Sequence, residues 1–513
     1  MGHSSDTPSP LGSGRPSLRK SIGGLGFFSL AFGSMIGVGW VTAMGGWLRD
    51  AGPGGAMIAF AAGGVLMLFI GLCYAELTAM MPVAGGEVAY AYRSSGVGAS
   101  FLVGWFLAFG YLSVSAFEAI SVGTVLAYLF PAVDFLPLYE VAGVPVYAGH
   151  LILAVLFTGF ITGVNYVGVR WAAGLQTGLT ATFLAVTLVF VAAGIFGGSG
   201  GAGQPSFSRT GFGPILGGIA AVFVTVPFWF VGFDTIPQGA EEAETSVSPR
   251  RLGALILTSI VGATLFYLLV ILAVSRAAPW TEITESTLPT AEAFSGAFGS
   301  RIMVNLVLTA TVLGLLTSWN GFFLAGTRVL FALGRGRIVP PWLGRSHPRF
   351  ETPGNAVLLA GAVTLAGALM GRGAMLPFVD VGSFCIAVAF VGVSWSTLKL
   401  RRSEPNAARP YRIPGGRIVP SLALVGAVFV LGVMVIPGSP GMLTWPLEWV
   451  ILGAFVLLGG ILWNRGRGRR EATTSEERRR LILGPAAGEG APTAGAVAVD
   501  GASRSADRTP GGS

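Results

Sequence analysis

The sequence predicts an all-α polytopic membrane protein of about twelve transmembrane helices. Three observations predict it. Hydrophobic residues make up 52% of the 513 and charged residues 11%, with a mean hydropathy of +0.71. A soluble globule of this size cannot bury that much apolar surface. Apolar runs recur at the length a bilayer crossing needs, roughly 20 residues. Arginines cluster in alternate connecting loops, so the net charge of +8 describes topology and does not point to nucleic acid.

Taken in order, the runs cover 22–49, 54–80, 98–130, 148–169, 173–196, 212–238, 252–275, 301–334, 355–371, 375–399, 418–437 and 445–464. One set of loops carries Arg15, Arg19 and Lys20, then Arg93, Arg170, Arg250 and Arg251, the arginines of 335–349, those of 401–417 with Lys399, and those of 465–470. The opposite set has few cations and holds Asp134, Glu140, Glu282, Glu285 and Glu292. The positive-inside rule then predicts a multi-pass protein of the plasma (inner) membrane with both termini cytoplasmic. The tails, 1–20 and 466–513, read as disordered from their Ser, Pro, Gly, Ala and Arg content. Residues 82–95 are too polar to span and too patterned for an idle linker, and 280–299 reads as an outer lid. Met1–Pro16 has no apolar core, so no signal peptide is expected. Cys73 and Cys385 lie in apolar runs, and His3, His150 and His347 are scattered. No metal or cofactor site is expected, nor an enzyme, since no nucleophile–base pair or ligand cluster is present.

The first run contains Gly33-Ser34-Met35-Ile36-Gly37-Val38-Gly39, with glycines where a plain span would carry Leu or Ile. Glycine weakens a helix by about 1 kcal/mol relative to Ala and accepts unusual backbone angles. Two readings follow. Gly33 and Gly37 would suit a close helix–helix contact of the GxxxG kind. Alternatively the helix is broken and its free backbone groups bind a solute. The sixth run has a second interruption, where Pro227 and Pro237 flank Gly232 and Asp234. Five spans separate the starts of the two. Paired interruptions in corresponding halves point to an inverted-repeat transporter with its site at the midplane.

Several stretches resemble the amino acid–polyamine–organocation permeases. Tyr74-Ala75-Glu76-Leu77, then Met81-Pro82-Val83-Ala84-Gly85-Gly86-Glu87 and Tyr90, closely match the family pattern YAEL…P-x-AGGE-x-x-Y. Gly33–Gly39 is similar to the unwound first helix, Phe230-Val231-Gly232-Phe233-Asp234 to the sixth-helix F-x-G-F-E, and Ala240-Glu241-Glu242 to the AEE that follows. Gly326-Thr327-Arg328 through Arg335 to Pro340 resembles the eighth-helix motif, but Gly336 and Arg337 stand where the family usually has Asp-Gly. The resemblance covers about residues 20–465. It implies a LeuT-like five-plus-five inverted repeat with helices one and six broken, over 21–200 and 210–400, and two C-terminal helices within 415–465.

The chemistry expected of such a site assigns the residues. An amino acid's carboxylate suits the N–H groups at a half-helix N-terminus, and its ammonium suits free carbonyls. Substrate contacts are expected from Ser34, Met35, Ile36, Gly37, Val38 and Gly39, from Tyr111, from Trp229, Phe230, Gly232 and Phe233, and from Trp319 and Asn320. Each aromatic would serve equally as ordinary packing. Asp234 and Glu118 are intramembrane acids and candidates for proton coupling, and the resemblance implies an acid at both positions. Sodium is the rival ion, at Gly33, Thr317 and Ser318, while the span-five lysine of some members is missing. The expected function is a secondary transporter, monomeric or homodimeric. It would carry an amino acid or related amine with protons by alternating access, two acids in one pocket inviting a cationic substrate. An exchanger, a Na⁺-coupled importer and a transport-like nutrient sensor are the alternatives.

Overall fold

A computed structural model describes residues 15–198, 203–286, 288–439 and 441–484. Among them, eleven helices are long and apolar enough to cross a membrane. A twelfth apolar helix, Gly354–Ala368, is shorter, opening at Pro353 and ending before Gly371, whose φ is +60°. The helix assigned to Met44–Met80 is two segments joined at Gly52, where φ is +72°. Its first part continues the first span beyond Thr42, and Pro53 starts the second. Gly96, at φ +83°, likewise divides Gly86–Leu129. The polar stretch before the third span is thus a short helix of its own. The loop 131–147 holds a finding the sequence reading lacks, a hairpin of Pro137–Val141 and Val144–Tyr147. Its turn is Ala142-Gly143, both at positive φ, as a tight hairpin of this kind requires.

The first span is the most enclosed, with 72% of its apolar window buried, against 17% for the last, Leu447–Arg465. The centre of the bundle therefore carries the irregular backbone, as lipid cannot satisfy it. The first span breaks between Gly24–Met35 and Gly39–Thr42. The sixth breaks between Val226–Trp229 and Thr235–Gly239. Over the Gly39–Thr42 end of the first span, Trp280–Ile283 and Pro289–Phe298 pack as short helices, and the Thr290 hydroxyl donates to the Trp40 carbonyl, 3.0 Å.

The described chain ends meet, with Arg15 Nε donating to the Leu481 carbonyl at 3.1 Å, and this end of the bundle is tied by ion pairs. Glu241 accepts from Arg335 through two 2.8 Å bonds, from Arg15 at 3.2 and 3.0 Å and from the Ala84 N–H at 3.0 Å. Glu242 forms a bidentate pair with Arg328 at 3.0 and 2.8 Å, both side chains fully buried. Glu76 is held by Arg401, by Arg409 and by the Ile413 N–H. Three of the five acids in the matched motifs, Glu76, Glu241 and Glu242, are thus partners in arginine pairs. Part of the C-terminal tail is also ordered, against the composition. Arg467–Ala472 and Ser475–Leu483 are helical, with Ile482 and Leu483 buried. Gly336 and Arg337 meet this tail: a Cβ on Gly336 would lie 2.8 Å from Ile482, and Arg337 pairs with Glu477 at 2.9 Å. The remaining tail residues, 1–14 and 485–513, lie outside the described residues.

Replacing Arg328 by Met strands the Glu242 carboxylate. It is expected to cost about 3–5 kcal/mol, read as a lower melting temperature of the purified protein. Arg467→Met, breaking an exposed pair with Glu471, is expected to leave the melting temperature unchanged. Burial works against charge on Glu241, yet Arg335 and Arg15 hold its carboxyl down to about 2. A depressed value stabilises the fold above the ordinary 4.5 and is lost as pH falls from there towards 2. The melting temperature of wild type should therefore fall more steeply across that window than that of Glu241→Gln.

Candidate functional site

The two breaks touch each other. Gly232 has φ +133°, and a Cβ on it would lie 2.6 Å from the Met35 nitrogen and 2.9 Å from the Ser34 Cβ. Only glycine lets the sixth span's backbone reach the first span's peptide at that point. Glycine serves the same end nearby. A Cβ on Gly39 would lie 2.1 Å from the Trp229 ring, and one on Gly37 2.8 Å from Glu118 Oε1 and 3.1 Å from Ser318 Oγ. Close helix contact and broken backbone are here one arrangement.

Tyr267, on the seventh span (Pro249–Ala277), secures it. Its hydroxyl lies 3.0 Å from the Met35 carbonyl and 3.1 Å from the Trp229 carbonyl. These are the last residues of the two inward-facing half-helix ends, whose carbonyls have no partner in their own helix. A hydroxyl has a single hydrogen, so it donates to one carbonyl at a time. Asp234 secures the sixth span from the other side. One carboxylate oxygen accepts from the Gly232 N–H, 2.8 Å, and the other from the Tyr111 hydroxyl, 2.8 Å. The Gly232 carbonyl is taken by Thr235, through the hydroxyl at 2.6 Å and the N–H at 3.0 Å.

Beside the breaks lies a cavity of about 40 Å³, lined by residues of the first, third, sixth, seventh and eighth spans. Of the expected site residues it brings together Ser34, Met35, Gly37, Val38, Gly39, Trp229, Glu118 and Ser318. Its remaining walls are Val114, Phe117, Phe228, Val231, Tyr267 and Phe322, which are not among the expected site residues. Glu118 is the one carboxylate of the lining. It is 2% exposed, and its Oε2 accepts no hydrogen bond among the described residues.

The other expected residues stand behind this lining. Ile36 is buried, and Phe230 packs at 5.7 Å, centroid to centroid, on Tyr267. Phe233 stacks on Phe390, and Tyr111 is engaged with Asp234. Trp319 is fully buried, and Asn320 donates to Gln176 and to the Ala172 carbonyl. The Thr317 hydroxyl bonds within its own helix to Gly314, and Gly33 faces Gln176 and Thr180. Trp40 stacks on Phe190 at 5.2 Å. Among the described residues no group of His, Cys, Asp and Glu is arranged to hold a metal.

Comparison with known proteins decides the family. The family model for amino acid permeases matches residues 22–460. The chain belongs to the amino acid permease family. Its family and relatives are transporters, not enzymes. The branched-chain amino acid permease BcaP of Bacillus subtilis is 28% identical over 425 residues, 82% of this chain and 89% of that protein. The methylthioribose transporter of the same organism is 25% identical, covering 86% of this chain and 93% of the relative. Cationic amino acid transporter 9 of Arabidopsis thaliana is 32% identical over 65% of this chain and 58% of its own length. In this permease the breaks, with Glu118, Tyr267 and Ser318, make the polar part of a cavity lined elsewhere by apolar side chains.

Gly232→Ala places a Cβ inside the first span's peptide. Uptake by reconstituted protein should fall by at least about tenfold, while the variant still elutes as a single species. Wild-type uptake by Gly232→Ala would mean that the contact between the breaks is dispensable.

Proposed function

We propose that this permease is a plasma-membrane secondary transporter. It binds an amino acid with an apolar side chain between the two breaks and moves it by alternating access together with a proton. The observation that carries this reading is the cavity: one carboxyl with an unpartnered oxygen, Glu118 Oε2, facing the start of the outer half-helix across Gly37, among mostly apolar walls. The first N–H groups of a half-helix suit the substrate carboxylate. Glu118 suits the ammonium or a proton, either of which supplies its missing partner. Val114, Phe117, Phe228 and Phe322 suit an aliphatic or aromatic side chain. The name of the Bacillus subtilis relative, a branched-chain amino acid permease, agrees.

Asp234 takes a different part in this scheme. Its two donors suit a fixed carboxylate that braces the break, so Glu118 is the proposed proton carrier. The inner half of the first span is tied to the segment after the sixth. The Ser21 and Ile22 N–H groups donate to the Glu242 carbonyl, and the Glu244 N–H donates to Ile22. The two would swing together when the cytoplasmic end opens, releasing the Glu241 cluster. A second reading is a cationic substrate, favoured by the acid in the cavity and by the plant relatives' names.

Proteoliposomes loaded at neutral pH and diluted into acid buffer are expected to accumulate L-leucine, equally in sodium and choline salts. Excess L-leucine should block uptake and excess L-arginine should not; the reverse selects the cationic reading. Glu118→Gln is expected to abolish accumulation driven by the pH gradient and to keep part of the exchange of internal for external leucine. Full pH-driven accumulation by Glu118→Gln would remove Glu118 from the coupling step.

A further inference from the structure

The tail helix Ser475–Leu483 touches three separate parts of the chain. Its Ile482 and Leu483 are 2% and 1% exposed, although most of the helix is charged. Ile482 lies against the end of the eighth span at Gly336, where a Cβ would come within 2.8 Å of it. The next residue, Arg337, pairs with Glu477 at 2.9 Å. On the short helix before the third span, the Tyr92 hydroxyl donates to the Ser475 carbonyl at 3.3 Å. The remaining contact is with the segment leading into the first span, where Arg15 Nε donates to the Leu481 carbonyl at 3.1 Å. Leu481 is in the last turn, so its carbonyl has no N–H partner within the helix. Gly484, at φ +53°, turns the chain against Arg15, and a Cβ there would lie 2.7 Å from the guanidinium carbon.

Arg15 joins this helix to the Glu241 cluster. Its Nη1 and Nη2 donate to Glu241 at 3.2 and 3.0 Å, and Glu241 accepts in turn from Arg335 on the eighth span. A guanidinium is a rigid planar fork, so holding Nε on the tail also fixes where the other two nitrogens point. In the opening proposed above, the first span's inner half swings with 242–244 and leaves the third and eighth spans behind. The tail helix grips both sides of that boundary. Arg15 stands on one side, and Tyr92, Gly336 and Arg337 stand on the other. A brace across a moving boundary must let go on one side before the boundary opens.

We propose that the tail helix is a cytoplasmic latch, an autoinhibitory contact that holds the inner half of the first span closed and slows inward opening. Ile482 and Leu483 seat it, and the Leu481 carbonyl on Arg15 links it to the Glu241 cluster. Two apolar side chains and a few polar bonds make a small contact, of the kind that opens locally while the bundle stays folded. The latch sets a rate and adds no step to substrate binding or coupling. The proposal rests on the reading of the chain as a carrier working by alternating access.

The test compares full-length proteins by two readouts. One is amide hydrogen exchange of the purified protein without substrate, and the other is exchange of internal for external L-leucine in proteoliposomes. L483D puts a carboxylate into the buried seat, and G336D displaces Ile482 from the side of the eighth span. In both variants the peptides covering 475–483 should take up deuterium faster than in wild type, and so should those covering 15–30. Leucine exchange should rise by about threefold or more. Release of 475–483 with no change over 15–30 overturns the proposal, and so does leucine exchange that falls or stays at the wild-type rate. Wild-type protection of 475–483 no greater than in the variants overturns it as well. A helix that only supports the fold would give slower exchange of leucine when released, not faster. Should L483D not fold, G336D, which leaves the tail sequence intact, carries the comparison. Failure of wild type to exchange leucine would count against the transport reading alone, since the hydrogen exchange contains no substrate and still shows whether the tail holds 15–30 in place.

Discussion

Gly232 against the Ser34–Met35 peptide is the contact on which the rest of the site depends. Two chain segments meet there with no side chain between them. That meeting forces both helices to end, because neither can carry its backbone ladder through a point occupied by the other. Four loose groups result, two within reach of one hydroxyl on the seventh span and two answered by the sixth span's own residues. Tyr267 answers the Met35 and Trp229 carbonyls, Asp234 answers the Gly232 N–H, and Thr235 answers the Gly232 carbonyl. Irregular backbone is tolerated at membrane depth because protein, and not lipid, surrounds it.

The polar groups of this chain divide by position. Glu76, Glu241 and Glu242 sit in paired or bidentate clusters with arginines at the end of the bundle where the described chain ends meet. Their work is to tie spans and loops together. Asp234 and Gln176, deeper in, are saturated with hydrogen bonds and brace the two broken spans. Glu118 alone combines burial, a place in the cavity lining and an oxygen without a donor. A buried carboxyl oxygen without a donor is costly, and a fold that keeps one beside a cavity has left a place for something to bind.

Much of this was legible in the residues. Apolar run lengths give the spans to within a few positions, and Gly33–Gly39 with Pro227–Pro237 marks both breaks. The hairpin at 137–147 escaped notice because its short alternating strands lie between strong helical runs. The tail helix Ser475–Leu483 escaped because its polar composition suits solvent equally well, and only its docked Ile482 and Leu483 fix it. Within the site, local pattern could name the broken segments but not what faces them. Tyr267 sits in an ordinary apolar span, and its role comes from lying beside two chain ends distant in sequence. Asp234 and Glu118 looked alike as intramembrane acids, and only the positions of Tyr111 and the Gly232 N–H separate them.

The account turns on where the substrate sits. A cryo-electron microscopy map of the reconstituted protein with saturating L-leucine tests that most directly. The account predicts density for the amino acid between Gly37–Gly39 and Glu118, its carboxylate at the outer half-helix and its side chain towards Phe117 and Phe322. Ordered leucine elsewhere, with this cavity occupied by protein side chains, would contradict it.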